Sequence, residues 1–352
     1  MTVSVAIATY NRAAMVQQAV AAALAQSLAP FEVVVSDDAS TDQTAEKLEH
    51  WLANQEAAAR DSVRVLRHPV NSKGVVNWNQ AIEATSGEYI AWCSDDDRFL
   101  PGHLAESVAY LEANPDVGLV HSGFVDALED GADSLQEVRP LRSSQPLVIG
   151  REQLLGYLIR YYDWPFHPST IVMRRAVWQQ VGQFDPRYAL ADTDWFVRAA
   201  MQVPVALLPR HGVLNRRHPG NWSNQVGSAG MQREIYRIVD QAIQQIWQAS
   251  VVRRTLWRML WRTNVRARLA LTIRARLRSG DEDAALLGWR ALVNATKADA
   301  TKADSANPAP SWFVRWGAAL IRRVIRHKAR KRNGAQPRRD ELSGLRKNVS
   351  PR

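Results

Sequence analysis

The chain has 352 residues, 46% hydrophobic and 23% charged, a balance that excludes a disordered polymer and supplies apolar surface for two ordinary domains. A single cysteine, Cys93, excludes a disulfide framework and any cysteine-based zinc site. The net charge of +10 conceals a division: residues 1–230 carry 18 Lys and Arg against 26 Asp and Glu, whereas residues 231–352 carry 27 against 9.

That division predicts two parts with different partners, the basic one meeting an anionic membrane surface or a nucleic acid. No apolar run of about 18 residues occurs, so no membrane-spanning helix is expected. The N-terminal T-V-S-V-A-I-A-T-Y-N-R lacks the basic start and apolar centre of a signal peptide, and a cytoplasmic location is expected.

In chain order, Val3–Ala8 is β-branched-rich and predicts a strand, followed by helical spacing over Arg12–Leu28. Phe31–Val35 predicts a second strand, polar Ser36–Asp42 a loop, and a helix starts near Gln43, capped by Thr41 or Asp42. Val63–Leu66 predicts a strand, Val75–Ala84 a helix and Glu88–Cys93 another strand. Pro101 suits the first turn of a helix that Asn114-Pro115 stops, and Val117–Val120 is strand-like. Strands alternating with helices of about a dozen residues predict an α/β domain with a mainly parallel sheet.

Asp126–Ser144 reads as a polar loop, followed by a helix near Arg151–Tyr161, a strand near Thr170–Met173 and a helix near Asp192–Met201. The expected organisation is a catalytic domain at 1–230, a helical extension at 231–293, a linker at 294–310, an amphipathic basic helix at 311–330 and a disordered basic tail at 331–352.

In parallel α/β sheets, ligands lie outside the carboxyl ends of the strands. Thr9-Tyr10-Asn11-Arg12, Ser36-Asp37-Asp38 and Ser94-Asp95-Asp96-Asp97 would therefore share one edge. Three consecutive aspartates raise one another's pKa unless a cation shares the site. Their hard oxygens favour Mg²⁺ or Mn²⁺, held together with substrate phosphates; a solvated acidic turn is the alternative. No G-x-G-x-x-G follows the first strand and no G-x-x-x-x-G-K-[ST] occurs, which argues against dinucleotide dehydrogenases and P-loop enzymes.

V-S-V-A-I-A-T-Y-N-R, V-V-V-S-D-D-A-S-T-D-Q-T and G-E-Y-I-A-W-C-S-D-D-D together resemble glycosyltransferase family 2. S-T-I-V-M-R-R at 169–175, V-G-Q-F-D-P-R at 181–187, A-D-T-D-W-F-V-R at 191–198 and R-R-H-P-G-N-W-S at 216–223 extend the resemblance to about residue 225. It implies a GT-A fold and inverting transfer of a sugar from a UDP-, dTDP- or GDP-linked donor. By position it places Thr9, Asn11, Asp37 and Asp38 at the donor, with Asp95 and Asp96 at its ribose and diphosphate. Asp97, with Asp95, would hold Mn²⁺ or Mg²⁺; Ser94 replaces the first Asp of the usual D-x-D-D. Asp192 matches the catalytic base, with Asp194 in reserve, and Ala191 replaces the customary Glu. Arg216, Arg217 and His218 would lie near the diphosphate.

Trp164 and His167 are candidates for the acceptor site, a structural role in a Pro-rich turn being the equal alternative for His167. Asn71, Lys73 and Gly74 precede a helix, and capping it is their simpler role. The resemblance and the basic helices imply a cell-surface glycan or lipid-linked acceptor, and peripheral attachment at the inner face of the plasma membrane. Nucleic acid is not expected. The rival readings are a nucleotidyltransferase and a non-catalytic adaptor on a transferase scaffold; Ala191 and Ser94 are the departures that keep the latter open.

Overall fold

The computed structural model describes residues 1–128, 136–138, 141, 144–160, 166–218, 220–261 and 263. Trp164, the linker at 294–310, the helix at 311–330 and the tail at 331–352 lie outside them, as does residue 264 onward of the expected extension. The chain divides into a unit Met1–Arg258 and a unit Met259–Arg352.

The first unit opens with β1 (Val3–Thr9), buried along its whole length, as expected of a strand covered on both faces. Helix α1 (Ala13–Leu24) is alanine-rich and buries Val16, Ala19, Val20 and Ala23, a single helical stripe. Then come β2 (Glu32–Asp37), α2 (Thr44–Ala53), the short α3 (Ala57–Asp61), β3 (Val63–Arg67), α4 (Gly74–Glu83) and β4 (Tyr89–Ser94). Gln43, with a φ of 63°, stands at the N-cap without a side-chain cap, in place of the expected Thr41 or Asp42; Asp42 Oδ1 accepts from the Thr44 N–H at 3.0 Å in the turn before the helix.

β5 (Arg98–Phe99), α5 (His103–Ala113), β6 (Leu119–Leu128), β7 (Gln136–Val138), β8 (Leu147–Ile149), α6 (Arg151–Arg160), β9 (Ile171–Arg174) and α7 (Arg175–Val181) follow. The unit continues through α8 (Ala191–Ala200), β10 (Val205–Arg217) and α9 (Trp222–Ile246). α5 starts at His103 because Gly102 takes a φ of 78°, which leaves Pro101 before the helix rather than in its first turn.

Among the described residues, ten strands form one sheet in the order β3-β2-β1-β4-β9-β6-β10-β5, with β7 on β6 and β8 on β10. β3, β2, β1 and β4 run parallel, as do β6 and β10, while β9 lies antiparallel between β4 and β6. The mainly parallel α/β architecture is as expected. β6 extends to Leu128, well into the stretch read as loop from Asp126.

Strand β10 was hidden in the sequence because Pro209-Arg210-His211-Gly212 interrupts its apolar pattern. The structure absorbs these residues in register shifts between Leu207 and Val213. Gly212 is required there: a Cβ would approach His103 Nδ1 to 2.3 Å. α9 begins before residue 230 and packs against α6 and α8 within the first unit, so the expected boundary at 230 falls inside a helix. Residues 251–261 are also helical, and among the described residues no helix is long and apolar enough to cross a membrane.

Candidate active site

The parallel registers place Thr9 beside Asp37 and Ala8 beside Ser94, so the polar ends of β1, β2 and β4 do share one edge. The four described non-glycine residues with positive φ are Asn11, Ala39, Gln43 and Lys73, all in loops that leave β1, β2 and β3. Backbone strain of this kind persists where surrounding contacts hold it and clusters at ligand sites.

Those contacts use several residues expected at the donor. Asn11 Oδ1 accepts the backbone N–H of Thr41 at 2.7 Å and of Asp42 at 3.3 Å, tying the first loop to the second. Asp38 spends both carboxylate oxygens on the loop before α4, accepting from Ser72 N and Oγ at 2.7 Å each and from Lys73 N at 3.0 Å. These two residues build the rim. Asp37 accepts from the Ser40 hydroxyl, and burial, opposed by that bond, raises its pKa.

At the centre, Arg12 Nη1 reaches Asp95 Oδ1 at 2.7 Å and Asp96 Oδ2 at 2.9 Å, one guanidinium serving two carboxylates. Thr9 Oγ1 donates to Asp95 Oδ2 at 2.8 Å. Burial and the charge of Asp96 nevertheless push Asp95 up to about 6. Burial also acts to raise Asp96, but His218 and Arg12 outweigh it and hold its pKa below the usual carboxylate value. His218 Nε2 lies 3.0 Å from Asp96 Oδ2, while its Nδ1 accepts from the Gly220 N–H at 3.2 Å. The proton is thereby assigned to Nε2, facing the carboxylate.

Asp97 lies deeper. Its Oδ2 accepts from Ser169 Oγ at 2.5 Å and its Oδ1 from the Arg216 backbone N–H at 3.3 Å, and burial followed by the charge of Asp96 raises its pKa well above normal. Both oxygens of the expected metal ligand are therefore engaged by protein donors, and it is Asp96 that meets His218. His167 Nε2 stands 3.8 Å from Asp97, with its pKa lowered to about 4 by burial. Arg217 pairs with Asp126 at 2.9 Å and Asn215 donates to the same carboxylate at 2.5 Å. Arg216 bonds the Asp96 carbonyl at 3.2 Å and the Gln18 side chain.

Asp192 and Asp194, in the first turn of α8, differ in kind. Asp194 is ion-paired with Arg198 at 2.8 Å. Asp192 has no ion pair among the described residues; its Oδ1 accepts the Thr193 N–H at 2.7 Å, and burial lifts its pKa to about 6. A carboxylate with that value and no counter-charge is suited to proton transfer near neutrality.

Arg12, Ser169, Asp126, Asn215 and Asn221 were not singled out from sequence. Arg12 carried the one available signal, since it follows directly in the T-Y-N-R end of β1. Asn221 Nδ2 approaches Asp96 Oδ2 at 3.3 Å from the loop before α9.

The comparisons identify the family of this α/β sheet with an acidic cluster outside its strand ends. The profile of glycosyl transferase family 2 matches residues 4–180, and the chain belongs to that family. An uncharacterized protein of Mycobacterium tuberculosis is 28% identical over 62% of this chain; the match spans 60% of that relative's own length. The uncharacterized glycosyltransferase YwdF of Bacillus subtilis is 26% identical over 67% of this chain and 81% of the relative. Among solved structures, residues 1–349 of Staphylococcus aureus TarS in complex with UDP-GlcNAc superpose with a TM-score of 0.59 at 16% identity, covering 85% of this chain and 81% of that one. That likeness establishes a GT-A-like fold.

Proposed function

We propose that the chain is an inverting glycosyltransferase that moves a sugar from a nucleoside diphosphate donor to a hydroxyl of a glycan or lipid-linked acceptor. The observation that carries this reading is the contrast between Asp192, half-buried and without an ion pair among the described residues, and the Asp95–Asp96–Arg12–His218 cluster, in which every charge has a partner.

The donor's sugar–phosphate bond breaks with positive charge growing on the ring and negative charge on the leaving diphosphate. Arg12 and Arg216 flank the acidic cluster and orient that diphosphate. Asp192 accepts the proton of the attacking acceptor hydroxyl, and its raised pKa makes it an effective base without being permanently protonated at neutral pH. Thr9 and Asp95, joined at 2.8 Å, fix the inner wall against which the nucleoside lies. Asp37 and Asn11 bound its outer side.

Among the described residues no group of three or more His, Cys, Asp and Glu side chains is arranged to hold a metal. Mg²⁺-type ions commonly take one or two carboxylates together with substrate phosphates; both ring nitrogens of His218 are spent on Asp96 and the Gly220 N–H, so the ligand would be a carboxylate and not the ring. Mn²⁺ or Mg²⁺ held by a carboxylate of the Asp95–Asp97 cluster would supply Lewis-acid stabilisation of the leaving diphosphate.

An anionic membrane is the proposed setting. Val251, Val252 and Leu256 are exposed on the helical residues 251–258, with Arg253 and Arg254 between them. An apolar stripe with basic flanks suits the headgroup region, at about 1 kcal/mol per basic residue near the surface.

The donor reading is tested by thermal stabilisation with UDP, dTDP, GDP and their sugars, with and without Mn²⁺. A ligand at about 100 times its dissociation constant adds about 2.7 kcal/mol. A shift confined to one base is expected; no shift with any of them contradicts the reading.

A further inference from the structure

The helix that carries Asp192 also walls a separate cavity of about 610 Å³ between α8 and α9. Its floor is apolar, formed by Val197 of α8 and Met201 just after it, with Ile238 and Ala242 of α9. Its rim is a row of amides: Gln241 and Gln245, four residues apart on α9, and Gln248 in the turn just after it.

Tyr188 Oη donates to Gln241 Oε1 at 2.8 Å, and both residues line the cavity. Among the described residues, the side-chain amides of Gln245 and Gln248 make no hydrogen bond to protein. The charges in the wall are internally matched: Arg187 with Asp185 at 2.6 Å and Arg198 with Asp194 at 2.8 Å. The lining therefore offers no net charge, several groups that both donate and accept, and an apolar base.

That combination discriminates among ligand classes. An anion meets two arginines already committed to carboxylates. A lipid chain would strip water from the amides without replacing their hydrogen bonds, a loss of roughly 1–3 kcal/mol for each. A sugar ring matches both halves, because its C–H face covers the apolar floor while each hydroxyl, donor and acceptor at once, meets an amide. The volume lies within the range of sites that enclose small ligands.

We propose that this cavity is a second glycan-binding site, which takes a neutral oligosaccharide. Its assignment to the already built part of the acceptor rests on the transferase reading; the binding itself does not.

The test uses the full chain without nucleotide, with saturation-transfer NMR titrations of maltohexaose, cellohexaose and chitohexaose. At least one probe binds, and Gln245→Ala and Gln248→Ala each weaken it about five-fold, the loss expected for one hydrogen bond. Both residues are exposed, so melting temperature and nucleotide binding stay unchanged. No binding of any probe, binding unaffected by both variants, or binding of dextran sulfate in preference to the neutral probes overturns the proposal. If an oligosaccharide binds here while no donor sugar is transferred, the transferase reading fails and the site stands.

Discussion

His218 and Asp96 face each other at 3.0 Å although 122 positions separate them in the chain, and the Gly220 N–H holds the other ring nitrogen. The pair joins the end of β10 to the acidic loop after β4, so the two halves of the sheet meet at the acidic cluster. His218→Ala is expected to weaken Mn²⁺-dependent nucleotide binding by roughly ten-fold or more, the size of a lost charge-assisted contact, and to leave metal-independent binding nearly unchanged. Calorimetric titration of UDP with and without Mn²⁺ measures both.

Arg12 is the shared counter-charge of Asp95 and Asp96. Arg12→Met leaves two neighbouring buried carboxylates facing each other, and a loss of about 3 kcal/mol of stability is expected at pH 7.5. Protonation relieves the repulsion, so the deficit shrinks at pH 5. Denaturant unfolding at the two pH values checks the trend; equal deficits would contradict the counter-charge role.

Asp38 separates rim from site. Its three hydrogen bonds hold Ser72 and Lys73, the latter with a φ of 71°. Asp38→Ala is expected to cost about 1–3 kcal/mol of stability while changing turnover less than donor affinity. A fully stable variant with abolished turnover would instead make Asp38 a direct participant.

Much of this edge was legible in the sequence, because apolar strands ended abruptly in Thr9, Asp37 and Asp95–Asp97 and parallel sheets collect such ends on one side. What the sequence concealed is which carboxylates are spent on the protein itself. Asp38 and Asp97 look like ligands in a motif, yet Ser72 and Ser169, 34 and 72 positions away, take their oxygens. Arg217, expected to face phosphate, is paired with Asp126 because β6 continues past the point where its apolar pattern fails. Strand β10, which delivers Arg216 and Arg217, was obscured by its polar centre.

The pKa of Asp192 predicts two pH dependences of opposite sense. Turnover needs the ionised base, so kcat rises with pH through about 6. Stability runs the other way: the folded value lies above the ordinary 3.8, so the favourable contribution is complete below about 3.8 and is lost as pH climbs through about 6. Asp192→Asn removes the penalty of a buried charge and raises the melting temperature more at pH 7.5 than at pH 4.5.

The most direct test of the account is the same variant's kinetics. Asp192→Asn keeps the shape of the side chain and removes the base, so kcat is expected to fall by roughly 10²–10⁴ with donor affinity unchanged. A variant that turns over normally, or one whose defect lies wholly in donor binding, would contradict the assignment of Asp192 as the residue that takes the acceptor's proton.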